Sequence, residues 1–246
     1  MADYDIEGKR TLITGGASGI GLATAGEFAR QGARVVIADW DSEALEKTLA
    51  EHPDFCGGVL GDVGDPDDVA QIFARTDGLL GGLDVLIANA GISIRHPFQE
   101  IEYKEWKKVM RVNLDSMFLC SQQAIPRMRE AGSGILLFTA STNGLEGHPN
   151  YADYNASKAG VISLAQTLAL EFSPWLRVNA VCPGYVMTAM QKREYSDQMI
   201  EGVNAEIPMG RHAQPEEVAD LFAFLASPQA KYVTGQAIPI DGGETS

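Results

Sequence analysis

Cysteine is scarce in this chain of 246 residues, and Cys56, Cys120 and Cys182 lie far apart in the sequence. None of them stands in a CxxC or Cys/His spacing, so the sequence contains no zinc-ligand pattern and no metal is expected. An odd, sparse cysteine count is also unlike a disulfide framework. It favours reduced thiols, and we therefore expect a cytoplasmic protein.

Long apolar runs and basic residues are also in short supply. No stretch approaches the roughly 20 apolar residues that a membrane helix needs. The first five residues show neither the basic segment nor the apolar run of a signal peptide, so none is expected. Lysine and arginine number 19 against 33 aspartates and glutamates, which leaves a formal net charge of −14. This balance argues against nucleic acid or an anionic membrane as a partner, and mildly against an acidic carrier protein.

What the chain does contain is the composition of one globular domain. Hydrophobic residues make up 45% and charged residues 21%, and no linker, repeat or low-complexity segment divides residues 1–246. Strand-like and helix-like runs alternate, which predicts an α/β domain with a doubly wound parallel sheet of about seven strands and helices on both faces. The predicted strands are 10–14, 34–39, 58–62, 83–90, 134–140, 176–181 and 236–241. The predicted helices are 18–31, 41–50, 66–78, 103–130, 153–172 and 215–226.

Two of these segments carry further expectations. Pro239 cannot donate a hydrogen bond to a neighbouring strand, so the last strand should lie at an edge of the sheet. The helix at 153–172 has only three charged residues, Asp153, Lys158 and Glu171, whereas a helix that covers one face of a sheet should be amphipathic. A second partner is expected for it. The same helix in another subunit is favoured, and a neighbouring helix of the same chain is the alternative.

A glycine-rich loop follows the first strand and opens the first helix. Gly15, Gly19 and Gly21 permit a tight turn and a close approach of the backbone to a pyrophosphate, where the helix N-terminus supplies free amides. A flexible turn is the alternative, but the position between strand and helix favours a Rossmann-like dinucleotide site.

Asp39 ends the second predicted strand about 20 residues beyond this loop, where an acid typically binds the ribose 2′-hydroxyl. Capping of the following helix is the alternative role. A carboxylate would repel a 2′-phosphate, and no arginine or lysine adjoins Asp39 or stands in the loop. NAD is therefore expected rather than NADP.

Tyr154 and Lys158 are four residues apart in a predicted helix, so their side chains should share one face. An ammonium near a phenol lowers the tyrosine pKa from its ordinary value of about 10. The tyrosine would then serve as a proton-transfer catalyst near neutral pH. Such a pair also occurs on many solvated helix faces, so it carries weight only together with the loop.

With both features in place, the chain closely resembles the short-chain dehydrogenase/reductase family. The resemblance covers essentially the whole chain, as far as Asp241-Gly242-Gly243. Asn89-Ala90-Gly91 matches a family segment, although Ala88 stands where a further asparagine is usual. The resemblance implies four catalytic residues, namely Asn113, Ser141, Tyr154 and Lys158.

The resemblance also implies a role for each of these four. Asn113 would interrupt the long helix and hold a relay water, although an asparagine that caps a local bend is the plainer explanation. Ser141 would hydrogen-bond the substrate oxygen, or merely satisfy a turn. Tyr154 would exchange the proton, while Lys158 would lower its pKa and bind the nicotinamide ribose.

The cofactor contacts follow from the same resemblance. Asp62 and Val63 would meet the adenine, and the loop around Pro183 and Thr188 would meet the nicotinamide carboxamide. The full implied set is Gly15, Ser18, Gly19, Ile20, Gly21, Asp39, Asp62, Val63, Asn89, Tyr154, Lys158, Pro183, Gly184, Val186 and Thr188.

The substrate is expected to meet three variable stretches, which follow Gly91, Ser141 and Gly184. Their polarity suits a polyol, a sugar or a hydroxy acid better than a steroid. Segment 187–210 is predicted to form a helical lid with Lys192, Arg193 and Glu194 exposed. The candidate substrate contacts are Ser141, Asn143, His148, Tyr154 and Tyr185, although a histidine such as His148 is more often a solvated loop residue.

Three functions remain open at this point. The favoured one is an NAD-dependent oxidoreductase acting on a small polar secondary alcohol or ketone, as a homo-oligomer and most naturally a tetramer. The second is a 3-oxoacyl-(acyl carrier protein) reductase, which would prefer NADPH and a basic docking surface, for which Arg127 and Arg129 are the candidates. The third is a non-catalytic dinucleotide-binding regulator, against which the complete catalytic set counts.

Overall fold

The computed structural model describes residues 4–246, which build a sheet of seven parallel strands in the order β3-β2-β1-β4-β5-β6-β7. The strands are β1 (Arg10–Thr14), β2 (Arg34–Asp39), β3 (Gly57–Leu60), β4 (Val85–Ala88), β5 (Gly134–Thr139), β6 (Leu176–Pro183) and β7 (Ala237–Ile240). The prediction of a doubly wound parallel sheet is confirmed.

Helices connect the strands on both faces. Within residues 4–246 they are α1 (Gly19–Arg30), α2 (Ser42–Glu51), α3 (Pro66–Leu80), α4 (Tyr103–Met110), α5 (Ser116–Ala131), α6 (Ala152–Phe172), α7 (Ala189–Glu194), α8 (Asp197–Glu206) and α9 (Pro215–Ala226). No helix in this part of the chain is long and apolar enough to cross a lipid bilayer.

Two hydrophobic layers hold the helices against the sheet. Alternate residues of a strand point to opposite faces, so Leu12 packs in the layer under α3, α5 and α6, whereas Ile13 packs in the layer under α1, α2 and α9. Phe28 of α1 and Phe222 of α9 are fully buried in the second layer. Both faces of the central strands are therefore covered, which explains their nearly continuous apolar sequence.

Several predicted strand boundaries shift in the structure, those of the third and fourth strands among them. The fourth strand is shorter than the predicted 83–90 because the amides of Asn89 and Ala90 leave the sheet and donate to the hydroxyl of Thr14. The third strand is Gly57–Leu60 rather than 58–62. The edge position expected for the last strand is confirmed, since Pro239 lies opposite Cys182 and β7 has a single neighbour.

The predicted helix 103–130 is interrupted. A π-helical turn, Arg111–Asp115, separates α4 from α5. At its centre the buried side chain of Asn113 accepts a hydrogen bond from the amide of Ile92 at 2.8 Å and donates to the carbonyl oxygen of Ile92 at 2.9 Å. Turns of this kind are rare and often accompany functional sites.

Candidate active site

The candidate site lies at the carboxyl ends of β1, β4, β5 and β6. The chain winds outward from β1 through β2 to β3, and then returns to β4 on the other side of β1. In sheets of this type, the crevice at such a reversal is where ligands bind. The loops that leave these four strands carry most of the predicted site residues.

The glycine loop at the end of β1 leaves its backbone open. A Cβ added to Gly21 would lie 2.0 Å from the carbonyl oxygen of Gly15, and Gly15 itself has φ +63°. Asn89 supports the loop from β4, because its Nδ2 donates to the carbonyl oxygens of Thr14 and Gly15 at 3.1 and 3.2 Å. No larger residue fits at Gly21 without displacing the turn.

The backbone amides in the first turn of α1 are also accessible to a ligand. Ser18 is exposed at the N-cap and makes no side-chain hydrogen bond to the helix. The first amides of α1 therefore remain available to an anion, as a pyrophosphate would require. Ile20 lines the cleft beside them, and the methyl group of Thr188 lies 3.4 Å from where a Cβ of Gly19 would stand.

Asp39 turns its carboxylate toward this loop. Its Oδ2 accepts from the amide of Ala17 at 3.0 Å and its Oδ1 accepts from the amide of Asp41 at 3.1 Å. The cap of α2 is Asp41, whose Oδ1 accepts from the amide of Ala44 at 3.0 Å. Asp39 therefore does not cap α2, which was its alternative role. An open glycine cradle with a carboxylate beside it fits a dinucleotide.

Asp62 and Val63 lie further along the same edge. Val63 is buried, while Asp62 accepts from the amide of Gly64 at 2.8 Å and forms an ion pair with Arg111 at 2.8 Å. Since Arg111 opens the π-helical turn, this ion pair links the predicted adenine region to the segment that carries Asn113. The local sequence does not indicate that link.

Lys158 and Tyr154 share one face of α6, as expected. Nζ of Lys158 lies 5.5 Å from the centroid of the Tyr154 ring and donates to the carbonyl oxygen of Thr139 at 2.7 Å. Gly91 has no side chain, and a Cβ built on it would lie 3.4 Å from Nζ of Lys158 and 3.4 Å from Oδ1 of Asn113. The structure thus brings Asn113, Gly91 and Lys158 together behind the tyrosine.

The pKa of Tyr154 differs from the value expected for a tyrosine beside a lysine. Burial raises the pKa of Tyr154 to about 12; the hydrogen bond with Ser141 lowers it and the charge of Glu194 raises it further. Burial lowers the pKa of Lys158 to about 8, despite an opposing effect of Cys182. The expected lowering of the tyrosine pKa by Lys158 is therefore wrong for this structure, because the ammonium faces the main chain of β5 and burial of the phenol dominates.

Ser141 follows β5 and lies beside the tyrosine. Its hydroxyl accepts from the amide of Asn143 at 3.2 Å and lies 3.5 Å from the carbonyl oxygen of Pro183. Pro183 ends β6, and Gly184 follows it in the cleft. Val186 is buried and pairs with Ala213 in an isolated bridge, which fixes the base of segment 187–210.

The substrate half of the cleft contains the three remaining candidates, Asn143, His148 and Tyr185. Asn143 is committed to a hydrogen bond from its Nδ2 to Oδ1 of Asn155 at 2.7 Å. His148 is partly buried, and its Nε2 has no partner among residues 4–246. This nitrogen is shielded from solvent, so the ring is not fully solvated.

Further residues of this half were missed from the sequence, among them Tyr151, Glu194, Tyr195 and Glu244. The expected exposure of Glu194 is wrong, because it turns inward and accepts from the hydroxyl of Tyr151 at 3.0 Å. Lys192 and Arg193 are exposed, as expected. Tyr151 could have been found, since it precedes Tyr154 by three residues, but no local pattern marks Glu244.

Known proteins resemble this chain over almost its full length. The family model described as enoyl-(acyl carrier protein) reductase matches residues 15–245. The 3-oxoacyl-[acyl-carrier-protein] reductase FabG of Thermotoga maritima is 39% identical over 242 residues, which cover 97% of this chain and 98% of that protein. The glucose 1-dehydrogenase of Gluconobacter oxydans is 36% identical over 245 residues, which cover 97% of this chain and 92% of that protein.

Solved structures agree with these relatives. The 3-ketoacyl-(acyl-carrier-protein) reductase from Brucella melitensis, solved as a complex with NADH, has a TM-score of 0.94 and 34% identity over 98% of this chain and 100% of that chain. The family model, the relatives and the shared fold confirm the resemblance seen in the sequence. The chain belongs to the short-chain dehydrogenase/reductase family.

Proposed function

We propose that this protein is an NAD-dependent oxidoreductase that interconverts a small polar secondary alcohol and its ketone. The observation that carries the proposal is the meeting of Tyr154 and Ser141 at one cleft, with Lys158 behind the tyrosine and the glycine loop alongside. When bound, the nicotinamide accepts a hydride from the carbinol carbon or returns one to the carbonyl carbon.

Tyr154 is the proton carrier in this proposal. In reduction, its hydroxyl donates a proton to the substrate oxygen, and a pKa of about 12 keeps the phenol protonated at neutral pH. In oxidation, Tyr154 must be ionised to take the alcohol proton, so its raised pKa makes this direction faster at alkaline pH. Ser141 donates to the substrate oxygen as negative charge develops there.

Two residues behind the tyrosine, Lys158 and Asn113, are proposed to position and supply this proton. Lys158 is fixed by the carbonyl oxygen of Thr139, and Asn113 is fixed by both main-chain groups of Ile92. Because its side chain is fully used, Asn113 would hold a relay water through its main chain in the π-helical turn.

NAD is proposed as the cofactor because of Asp39. Its two carboxylate oxygens already accept amides of the glycine loop and of the turn after β2, so the side chain is fixed in place. Their remaining lone pairs suit the two ribose hydroxyls, whereas a 2′-phosphate would meet a fixed negative charge. The other residues proposed to hold the dinucleotide are those named above for the glycine loop, the adenine region and the loop after β6.

A 3-oxoacyl-(acyl carrier protein) reductase is the alternative, since several relatives carry that name. The candidate basic surface for a carrier is weak, however. Arg127 forms an ion pair with Asp77 at 2.8 Å, and Arg129 lies over the rings of Phe172 and Trp175. Both arginines are therefore partly engaged within the chain itself.

A homo-oligomer, most naturally a tetramer, is proposed from α6. Its exposed face carries no charge along Ala156, Ala159, Ser163, Thr167 and Leu170, and Leu170 is 86% exposed. Small side chains let two helices approach closely, so this uncharged face suits packing against a second copy.

Segment 187–210 is proposed to act as the lid, since α7 and α8 occupy it and α7 brings Glu194 into the cleft. A reducing compartment such as the cytoplasm is proposed because Cys56, Cys120 and Cys182 are all free thiols.

Initial rates with NAD and NADP, in both directions, test the proposal over a panel of polyols, sugars, hydroxy acids, amino alcohols and β-ketoacyl thioesters. NAD-linked turnover of a small polar alcohol is the expected result. Turnover restricted to NADPH and ketoacyl thioesters would favour the alternative. Tight NADH binding without any turnover would favour a non-catalytic regulator.

A further inference from the structure

The substrate half of the cleft contains two carboxylate oxygens that no donor reaches. Oε1 of Glu194 and Oε2 of Glu244 are shielded from solvent, and neither has a hydrogen-bond partner among residues 4–246. A buried, unpaired carboxylate oxygen is costly for a folded protein. Both residues line the same cleft as Tyr154, which points to a ligand that donates hydrogen bonds there.

Glu194 is held in position by groups on the opposite wall. Its other oxygen, Oε2, accepts from the hydroxyl of Tyr151 at 3.0 Å and from the hydroxyl of Ser93 at 3.3 Å. These two bonds fix the end of α7 and leave Oε1 for a ligand.

Tyrosine side chains adjoin this carboxylate. The hydroxyls of Tyr151 and Tyr195 lie 3.2 Å apart, and the ring of Tyr195 packs edge-on against Tyr185 with centroids 6.0 Å apart. The ring of Tyr151 lies 6.3 Å from that of Tyr154. The carboxylate and its tyrosines therefore stand next to the proposed proton carrier.

Glu244 reaches the same cleft from the turn after β7. Burial, together with the negative charges of Asp241 and Glu146, raises the pKa of Glu244 to about 7, although a hydrogen bond with Thr142 opposes this. Among the described residues, no lysine or arginine lines the cleft. The negative potential at Glu244 is thus not balanced from within the lining.

We propose that the substrate is a small secondary alcohol or ketone that carries a protonated amine, that Glu194 binds this ammonium group, and that Glu244 adds negative charge to the same cleft. The inference rests on the oxidoreductase function proposed above and specifies its substrate class. An ammonium would donate a charge-assisted hydrogen bond to Oε1 of Glu194, and the negative charge of Glu244 in the same cleft would add attraction.

Other substrate charges fit the cleft less well. A hydroxy acid or an acidic carrier brings negative charge toward two carboxylates, which costs free energy. A neutral polyol can donate hydrogen bonds to them but gains no charge attraction.

Three alcohols that share the CH3–CH(OH)– unit test the proposal: 1-amino-2-propanol is cationic, 1,2-propanediol is neutral and lactate is anionic. With NAD at pH 8, kcat/KM for the amino alcohol should exceed that for the diol by about tenfold or more, since its hydrogen bonds are charge-assisted. Lactate should be the poorest substrate.

The variant Glu194→Gln isolates the charge, because its amide oxygen still accepts from Tyr151 and Ser93. It should remove most of the preference for the amino alcohol while changing kcat/KM for the diol much less. Glu201→Gln makes the same chemical change on the exposed side of α8 and should leave the preference intact.

The outcomes separate this proposal from the function on which it rests. Equal or faster oxidation of the diol or of lactate would overturn the cationic substrate class and leave the oxidoreductase function standing. If none of the three is oxidised, the melting temperature with NADH and each compound decides. Selective stabilisation by the amino alcohol that Glu194→Gln abolishes would support the ammonium site without the activity, and its absence would overturn the site as well.

Discussion

Lys158 donates a hydrogen bond from Nζ to the carbonyl oxygen of Thr139, 2.7 Å away at the last residue of β5. The same threonine donates through its hydroxyl to Oδ1 of Asn89 at 3.0 Å, and Asn89 in turn supports the glycine loop. The lysine of the proposed catalytic set and the loop proposed for the cofactor are therefore joined through one residue of a central strand. A rigid sheet residue holds both halves of the site in register.

Replacement of Tyr154 by phenylalanine tests the proposed proton carrier. The ring still packs in α6, but the hydroxyl that exchanges the proton is lost, so kcat should fall by about 10²- to 10⁴-fold. Affinity for NADH, measured by fluorescence titration, should remain close to that of the wild type. Retention of most of the kcat would show that another group carries the proton.

Asp39→Ser combined with Trp40→Arg tests the proposed cofactor preference. Trp40 is 76% exposed beside Asp39, so an arginine can replace it without disturbing the core. Loss of the carboxylate and gain of a cation should shift the ratio of kcat/KM for NAD over NADP by about 10- to 100-fold toward NADP, the range of one or two hydrogen bonds to a charged group.

Trp40→Arg alone is the matched control, because it adds the cation and keeps the carboxylate. It should move the ratio much less than the double variant. An unchanged ratio of kcat/KM for NAD over NADP in the double variant would mean that Asp39 does not bind the ribose.

The strands and most helices could be predicted because their signals are local. A run such as Arg34 to Asp39 is apolar along almost its whole length, as a strand covered on both faces must be. Pro239 marks an edge strand for an equally local reason, since the missing amide hydrogen is a property of the residue itself.

The π-helical turn could not be derived from periodicity. Asn113 is held there by Ile92 and Ser157, which are 21 and 44 positions away in the chain. Only the family resemblance indicated an interruption at Asn113. The hydrophobic pattern of the sequence continues through such a turn, and it does not indicate contacts with residues far away in the chain.

The inward position of Glu194 was missed for the same reason. In sequence it follows Lys192 and Arg193 and reads as part of a solvated polar helix. Its actual partner, the hydroxyl of Tyr151, is 43 positions away. The residues that shape the substrate half of the cleft thus depend on how the segment after β6 folds back over α6.

Leu170→Glu tests the proposed interface. A charge at a position that is 86% exposed in a single chain costs a monomer little, but it would be buried against the partner in an oligomer of α6 helices. Light scattering after gel filtration should show loss of the larger species in favour of a smaller one.

Tyr232→Glu serves as the control, because Tyr232 is fully exposed and lies outside α6. It should leave the mass unchanged. An unaltered mass for Leu170→Glu, or a single-chain mass for the wild type, would contradict the proposed interface.

Glu244→Gln should change how stability depends on pH. The folded protein holds the proton of Glu244 up to a pKa of about 7, because of burial and the charges of Asp241 and Glu146, whereas an ordinary glutamate releases it at a pKa near 4.5. Between these two values the folded state binds more protons than the unfolded state, so the free energy of unfolding falls as the pH rises. Glutamine does not titrate, so the variant does not lose this free energy of unfolding.

Urea unfolding should therefore give equal free energies of unfolding for variant and wild type below pH 4.5. Between pH 4.5 and pH 7 the variant should become increasingly more stable than the wild type. Above pH 7 the advantage should stay constant at about 1 kcal/mol, once partial solvent screening is allowed for. A constant difference across the whole range would show that Glu244 titrates like an exposed glutamate and that its buried oxygen is not an uncompensated charge.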